Sequence, residues 1–392
     1  MYITREIAAK LTRLSCQYPA LVLTGARQVG KTTLLRELFP DHGFVSLDLP
    51  SLAEQAENEP QAFLQSNPAP LVIDEVQYAP GLFRHLKSRI DQDRHCMGQF
   101  ILTGSQKFTL MQEVSDSLAG RAAILNLENL SSSELKLTTH DSWLDILSRG
   151  FYPELWRQPD MDRHAFYASY LASYLERDVR QILNVHSLRD FERFIRACAT
   201  RSAQLLNMSD LARDVGIKPQ TARDWLSVLE ASNQVSLLEP YFENIGKRMV
   251  KSPKLYLNDP GMLCFLLGFD QKSLPSTPLV GAIWETFVYA EFRKKIANSS
   301  NNMTLWFYRD AQAREIDFLT VASGKIDLFE CKWTESPDSR WIDNLNETAA
   351  VLARSRIQQL GDRSMLCKIP TPVERNGVRC LHPAEYFRGR DN

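Results

Sequence analysis

Three sets of residues in this chain have the types and spacing to do chemistry. The first is Gly25-Ala26-Arg27-Gln28-Val29-Gly30-Lys31-Thr32, followed by Thr33, which fits the phosphate-cradling pattern G-x-x-x-x-G-K-[ST]. Glycines there let backbone N–H groups close on phosphate oxygens. Lys31 would reach the β- and γ-phosphates, and the Thr32 hydroxyl would ligate Mg²⁺. The second set is Asp74-Glu75, at the end of the apolar run Leu71-Val72-Ile73. Asp74 suits the Mg²⁺ shell and Glu75 suits polarising an attacking water. The plainer reading of the pair is a helix cap after a buried strand. The third set is Asp317, Glu330 and Lys332, spaced D-(x)12-E-x-K. Two carboxylates and a lysine at that spacing could hold Mg²⁺ or Mn²⁺ and stabilise charge on a phosphate.

Each set needs a scaffold. Ala20–Thr24 reads as a buried strand and Thr32–Phe39 as a helix, so the glycine loop joins a strand end to a helix N-terminus. Ile3–Gln17 carries Ile7, Leu11 and Leu14 at helical spacing. Phe44–Asp48 alternates like a strand, and Glu54–Gln65 reads as one polar helix. Phe100–Ser105 repeats the pattern of an apolar strand with a polar tip, which makes Ser105 a candidate γ-phosphate sensor; an ordinary serine turn is the alternative. Arg121, before the strand Ala122–Leu127, is a candidate arginine finger acting on a neighbouring subunit; an exposed loop arginine is the competing reading.

The middle of the chain is helical. Phe166, Tyr170, Leu171, Tyr174, Leu175 and Ile182 recur on one face between Asp160 and Val185, as core residues do. Ser209–Ile217 and Lys218–Leu226 have helix-turn-helix rhythm, with Ser209 as N-cap, Gly216 in the turn and Pro219 opening the second helix. The strands around Val235–Leu238 and Lys254–Leu257 complete a winged-helix pattern. Lys218, Gln220 and Arg223 could face DNA, and Lys247, Arg248, Lys251 and Lys254 could contact phosphates. Acids dilute the charge of these helices, and the competing reading is a protein-packing module.

Toward the C-terminus, Trp284, Phe287, Val288 and Phe292 mark the buried face of a helix. If Ser323-Gly324 is a two-residue hairpin turn, Asp317 lies opposite Glu330 and Glu315 opposite Lys332 on one face. Phe318, Phe329, Ile316 and Cys331 then share the other. Glu285, on the preceding helix, is a weaker candidate for an outer carboxylate. The alternative is a salt-bridged surface hairpin. No motif stands out after Gly361.

Composition sets outer bounds. The 392 residues exceed one typical domain, and 44% hydrophobic with 24% charged residues is ordinary for a globular protein. A net charge of −1 excludes a global basic field, so any nucleic-acid surface must be local. Seven cysteines without a C-x-x-C pair argue against a disulfide framework or zinc ribbon. The start lacks a signal-peptide core and no run could span a bilayer, so a cytoplasmic protein without a membrane partner is expected.

The stretches TGARQVGKT, LVIDEVQ, ILTGSQ and SLAGR resemble the AAA-type ATPase domain of a large prokaryotic group of poorly known function. In that group a restriction-nuclease-like domain follows, and D-(x)12-E-x-K resembles its PD-(D/E)xK core. The likeness extends over the whole chain and includes Tyr174-Leu175-Glu176-Arg177-Asp178-Val179-Arg180. It implies an α/β fold with a parallel sheet in AAA order, helices on both faces, and ATP with Mg²⁺ as ligands. The expected domains are an ATPase at 1–140, a helical lid at 141–200, a winged helix at 201–270 and a nuclease-like domain at 271–392. The expected function is an ATPase whose cycle moves a nucleic-acid-handling module, with nucleic acid and further copies of the chain as partners. The alternative is an ATP-operated scaffold or regulator with an idle nuclease-like domain.

Overall fold

The computed structural model describes residues 2–105, 114, 116–179, 188–241, 252–310, 312, 314–353 and 359–388, and only the backbone of Arg177 and Asp178. The chain forms two compact units. One holds residues 1–129, 152–154 and 231–233; the other holds 130–151, 155–230 and 234–392.

In the first unit, five short strands form a sheet: β1 (Ala20–Thr24), β2 (Gly43–Ser46), β3 (Leu71–Asp74), β4 (Phe100–Gly104) and β5 (Ala122–Asn126). All neighbours are parallel, in the order β2-β3-β4-β1-β5. Every residue of β1, β3 and β4 is buried, which is why these segments read as unbroken apolar runs. Alternate residues feed two cores. Val22, Ile73 and Leu102 pack with Phe83 and Leu86 of a helix at Leu82–Gln92. Leu21, Val72 and Ile101 pack with Leu11 of α1 (Ala8–Ser15) and Leu34 and Leu35 of α2 (Lys31–Leu38). The expected helix at Glu54–Gln65 is instead two, Pro50–Asn58 and Pro60–Ser66. Pro60 lacks a backbone donor and drives Glu59 out of helical geometry, so it opens a new helix rather than extending the old one.

In the second unit, Arg163–Tyr174 is α-helical and Leu175–Val179 continues in π-helical geometry. Met208–Val215 and Pro219–Ala231 form two helices joined through Gly216, whose φ of 80° lies in the left-handed region. The first of them is capped by Asn207, not Ser209: the Asn207 side chain accepts from the N–H groups of Ser209 and Asp210. β6 (Gln204–Leu205), β7 (Val235–Leu238) and β8 (Lys254–Leu257) make an antiparallel sheet in the order β6-β8-β7.

The remaining strands are β9 (Thr304–Arg309), β10 (Glu315–Ala322), β11 (Lys325–Lys332), β12 (Gln359–Cys367), β13 (Val373–Arg375) and β14 (Val378–Leu381). They form one mixed sheet in the order β13-β14-β12-β11-β10-β9. Ser323 and Gly324 have φ of 50° and 78°, the left-handed pair that a type I′ turn needs. The register runs from Ala322 opposite Lys325 to Phe318 opposite Phe329, as that turn dictates. A β-bulge against β9 lies between Ile316 and Leu319, however. It shifts which side chains share a face. Phe318 packs on Phe292 of the helix Val280–Asn298, whereas Ile316 joins Leu319 in the core beneath the helix Ser339–Leu352. Ile316 and Phe318 therefore do not share one face as the hairpin alone suggested.

Candidate active site

Parallel alignment brings the C-terminal ends of β1, β3 and β4 to one edge, the edge where α/β sheets bind ligands. The loop leaving β1 has left-handed backbone at Gln28 and Gly30, with φ of 62° and 94°, and φ is 147° at Gly25. A side chain at Gly25 is excluded, since a Cβ would lie 2.4 Å from the Leu127 carbonyl oxygen. Ala26 and Val29 are buried, Arg27 is half-buried, and Gln28 and Thr33 are exposed. Helix α2 starts at Lys31, so its first-turn N–H groups and positive dipole end face the loop.

Lys31 is buried and donates to the carbonyls of Gly25 (3.0 Å) and Ala26 (2.9 Å) within its own loop. The Thr32 hydroxyl donates to Asp74 Oδ2 at 2.9 Å, joining the two expected Mg²⁺ ligands. Thr103, at the end of β4, donates its hydroxyl to Asp74 Oδ1 and accepts from the Glu75 N–H at 3.2 Å. Glu75 sits in left-handed backbone, φ 55°. Its Oε2 accepts from Gln77 Nε2 and from Ser105 Oγ at 2.9 Å. Ser105 is therefore tied to Glu75 itself.

The two acids are set apart electrostatically. Burial pushes the Asp74 carboxyl up, against hydrogen bonds from Thr103 and Thr32. Burial acts on Glu75 too, but the Lys31 charge and the bonds from Gln77 and Ser105 outweigh it and hold that carboxyl below its ordinary range. An ionised Glu75 beside the phosphate loop is the form that accepts a proton from water. The donor set fits a Mg²⁺–triphosphate: a hydroxyl and a carboxylate for the hard cation, a lysine and a glycine-rich loop for the phosphates.

Two contributors carry no local sequence signal. The role of Thr103 depends on β4 lying beside β3. Arg5, buried, donates to the carbonyls of Val29 (2.8 Å), Glu128 (2.6 Å) and Asn129 (3.3 Å), clasping the loop from outside any motif. Arg121 stands at the start of β5, the sheet end away from its own phosphate loop, and donates to both Asp91 oxygens at 2.7 and 2.9 Å.

The C-terminal set also comes together, in a changed form. Asp317 and Glu330 are each 6% exposed, so they line an interior cluster and not a surface hairpin. Lys332 Nζ lies 2.6 Å from Glu330 Oε1 and 3.3 Å from Asp317 Oδ2. The Cys331 N–H also donates to Asp317 Oδ2, at 2.8 Å. Glu315 does not pair with Lys332. It pairs with Arg309 (3.0 Å) and with Lys254 (2.6 Å). Lys254, expected on a phosphate-contacting stripe, is 2% exposed and also reaches Glu285 (3.0 Å) and Asp317 (3.5 Å). Its place on β8 points it inward; Lys247, Arg248 and Lys251 lie outside the described residues. Lys218, Gln220 and Arg223 are exposed, as a contact surface requires.

Charge in this cluster is balanced internally. Burial would lower the Lys254 ammonium, but Glu285, Asp317 and Glu315 outweigh it and hold it well above its usual value. Burial also acts on Asp317, yet Lys332 and Lys254 keep its carboxyl low. Glu285 and Glu330, pushed by burial and by Asp317, rise to about 7 and about 8. Among the described residues, no group of three or more His, Cys, Asp and Glu side chains is arranged to hold a metal ion. The divalent metal that a nuclease-like site implies therefore does not fit these residues as they stand.

Comparison with known proteins adds the family. An AAA domain model matches residues 17–136, and models of two domains of unknown function, DUF8612 and DUF4143, match 140–273 and 280–373. Uncharacterised proteins of Mycobacterium tuberculosis (Rv2008c) and Mycobacterium bovis (Mb2031c) are each 33% identical over 344 residues, covering 85% of this chain and 74% of theirs. Among solved structures, a Walker-type ATPase of Pyrococcus abyssi aligns with 68% of this chain and 96% of its own, at 18% identity and a TM-score of 0.44. Among the described residues no helix is long and apolar enough to cross a membrane. With an AAA-type P-loop domain at 17–136 and one-third identity along most of its length, the chain belongs to the family of these mycobacterial proteins.

Proposed function

We propose that the protein binds ATP with Mg²⁺ at the loop Gly25–Thr32 and hydrolyses it, coupling the cycle to a nucleic-acid-handling module in the rest of the chain. The observation that carries the hydrolytic part is the Glu75 carboxylate, ionised and aimed by Gln77 and Ser105 beside the Asp74–Thr32 pair. Mg²⁺ held by Thr32 and Asp74 would neutralise charge on the phosphates. Lys31 gives up its loop carbonyls for phosphate oxygens, and Glu75 orients water and takes its proton. Glu75→Gln should retain ATP affinity and lose turnover by about 10²–10⁴-fold. Lys31→Ala should lose affinity. Wild-type turnover in Glu75→Gln would sink the assignment. The nucleic-acid part rests on exposed Lys218, Gln220 and Arg223, and is tested by stimulation of turnover with DNA or RNA.

A second reading is favoured by one observation, the lysine-filled carboxylate cluster at Asp317 and Glu330. In it the C-terminal domain is catalytically idle and the protein is an ATP-operated scaffold. A plasmid-nicking assay with Mn²⁺, comparing wild type with Asp317→Ala and Lys332→Ala, separates the two readings. Cutting that both variants lose supports the nuclease. No cutting of DNA or RNA supports the scaffold.

A further inference from the structure

Lys254 arrives at the C-terminal carboxylates from β8, a strand of the small three-stranded sheet and not of the sheet that carries Asp317 and Glu330. Its ammonium stands where three carboxylates converge: Glu315 at 2.6 Å, Glu285 at 3.0 Å and Asp317 at 3.5 Å. Two residues along the same strand face, Tyr256 donates its hydroxyl to Glu285 Oε1 at 2.6 Å and fixes that side chain. Lys332 completes the set on the far side of Asp317. One oxygen stays unanswered. Glu330 Oε2 is buried without a hydrogen-bond partner. A buried carboxyl oxygen left bare is costly, and a cation of higher charge beside it would relieve that cost.

The ligand chemistry points the same way. Glu285 stands on the helix Val280–Asn298 and Glu315 and Asp317 on β10, and hard carboxylate oxygens converging in this way are ligands of the kind Mg²⁺ and Mn²⁺ take. The ammonium excludes them by occupying the same oxygens, and it is covalently tethered, so it competes at a very high effective concentration.

We infer that Lys254 is a built-in cation that stands in for a divalent metal and keeps the C-terminal carboxylate cluster closed to it. Withdrawing or neutralising that side chain opens a Mn²⁺ or Mg²⁺ site on Glu285, Glu315 and Asp317, the carboxylates it now holds. The inference bears on the nuclease-like reading but asks only about metal binding, so the two can fail separately.

The test is Mn²⁺ titration of the full, nucleotide-free chain, followed by electron paramagnetic resonance and by thermal unfolding. Wild type should show no site at this cluster. Lys254→Gln, which keeps a hydrogen-bond donor, and Lys254→Met should bind Mn²⁺ at least roughly ten-fold more tightly and be stabilised by it. Adding Asp317→Asn to either should abolish the gain. A variant that folds only with Mn²⁺ present also supports the inference. Folded Lys254 variants that bind no better than wild type overturn it. So does a wild-type Mn²⁺ site that disappears in Asp317→Asn, a result that needs no Lys254 variant to fold. If Lys254→Gln binds Mn²⁺ yet cuts no nucleic acid, the inference stands and the nuclease reading falls.

Discussion

The two acidic centres of this protein use similar residues to opposite ends. Near the phosphate loop, Asp74 is held by hydroxyls of Thr32 and Thr103, and Lys31 by backbone carbonyls. Those hydrogen-bond partners are neutral. At the C-terminal centre, Asp317, Glu315, Glu285 and Glu330 are met by lysines and an arginine at ion-pair distance. There the charges are already matched. The difference lies in who answers each charge and not in how many charges there are. A centre that must bind ions leaves its acids on hydrogen bonds of modest net strength, whereas a matched buried ion pair is expensive to break.

The largest effect is expected from Thr103→Val, which removes the one hydroxyl serving both Asp74 and the Glu75 N–H. Turnover should fall by roughly 10–100-fold while ATP affinity changes little. If turnover is unaffected, neutral hydrogen bonds are not what hold the acids ready, and the contrast fails. A smaller effect concerns pH. The Glu330 carboxyl is raised from 4.5 to about 8, so the folded chain holds that proton more tightly than the unfolded chain does. Its contribution is thus most favourable at low pH and is lost as pH rises from about 5 through about 8. The melting temperature should drop by several degrees across that window, and Glu330→Gln should flatten the drop; an unchanged slope would remove Glu330 as its source. The smallest effect is at Arg121, whose partner Asp91 is exposed. Arg121→Ala should leave the melting temperature unchanged, while turnover falls only where copies of the chain associate. Reduced turnover at a dilution that leaves only monomer would rule out a role on a neighbouring copy.

What could be read directly from the chain was whatever is local. Gly25 to Thr32 and Asp74-Glu75 are contiguous, and their strand–loop–helix context is written beside them. The hairpin register followed from Ser323-Gly324 for the same reason. The misreadings share a cause. Lys254 sits in a basic run that suggests solvent, and only distant Glu285, Glu315 and Asp317 make its burial affordable. A bulge between Ile316 and Leu319 leaves no mark in an alternating pattern. The last strands leave little trace because Gln359–Cys367 is mostly polar over its first six residues, Val378–Leu381 is short, and their parallel pairing is a long-range event.

The curve of the phosphate loop at Gly25 is moulded against the Leu127 carbonyl, and Arg5 ties Val29 to Glu128 and Asn129. The eight motif residues are therefore not a portable cassette. Transplanted with only their own strand and helix, they would keep the signature and lose the mould that gives it shape, because that mould is supplied jointly by Arg5 near the start of the chain and by Leu127–Asn129 just beyond β5.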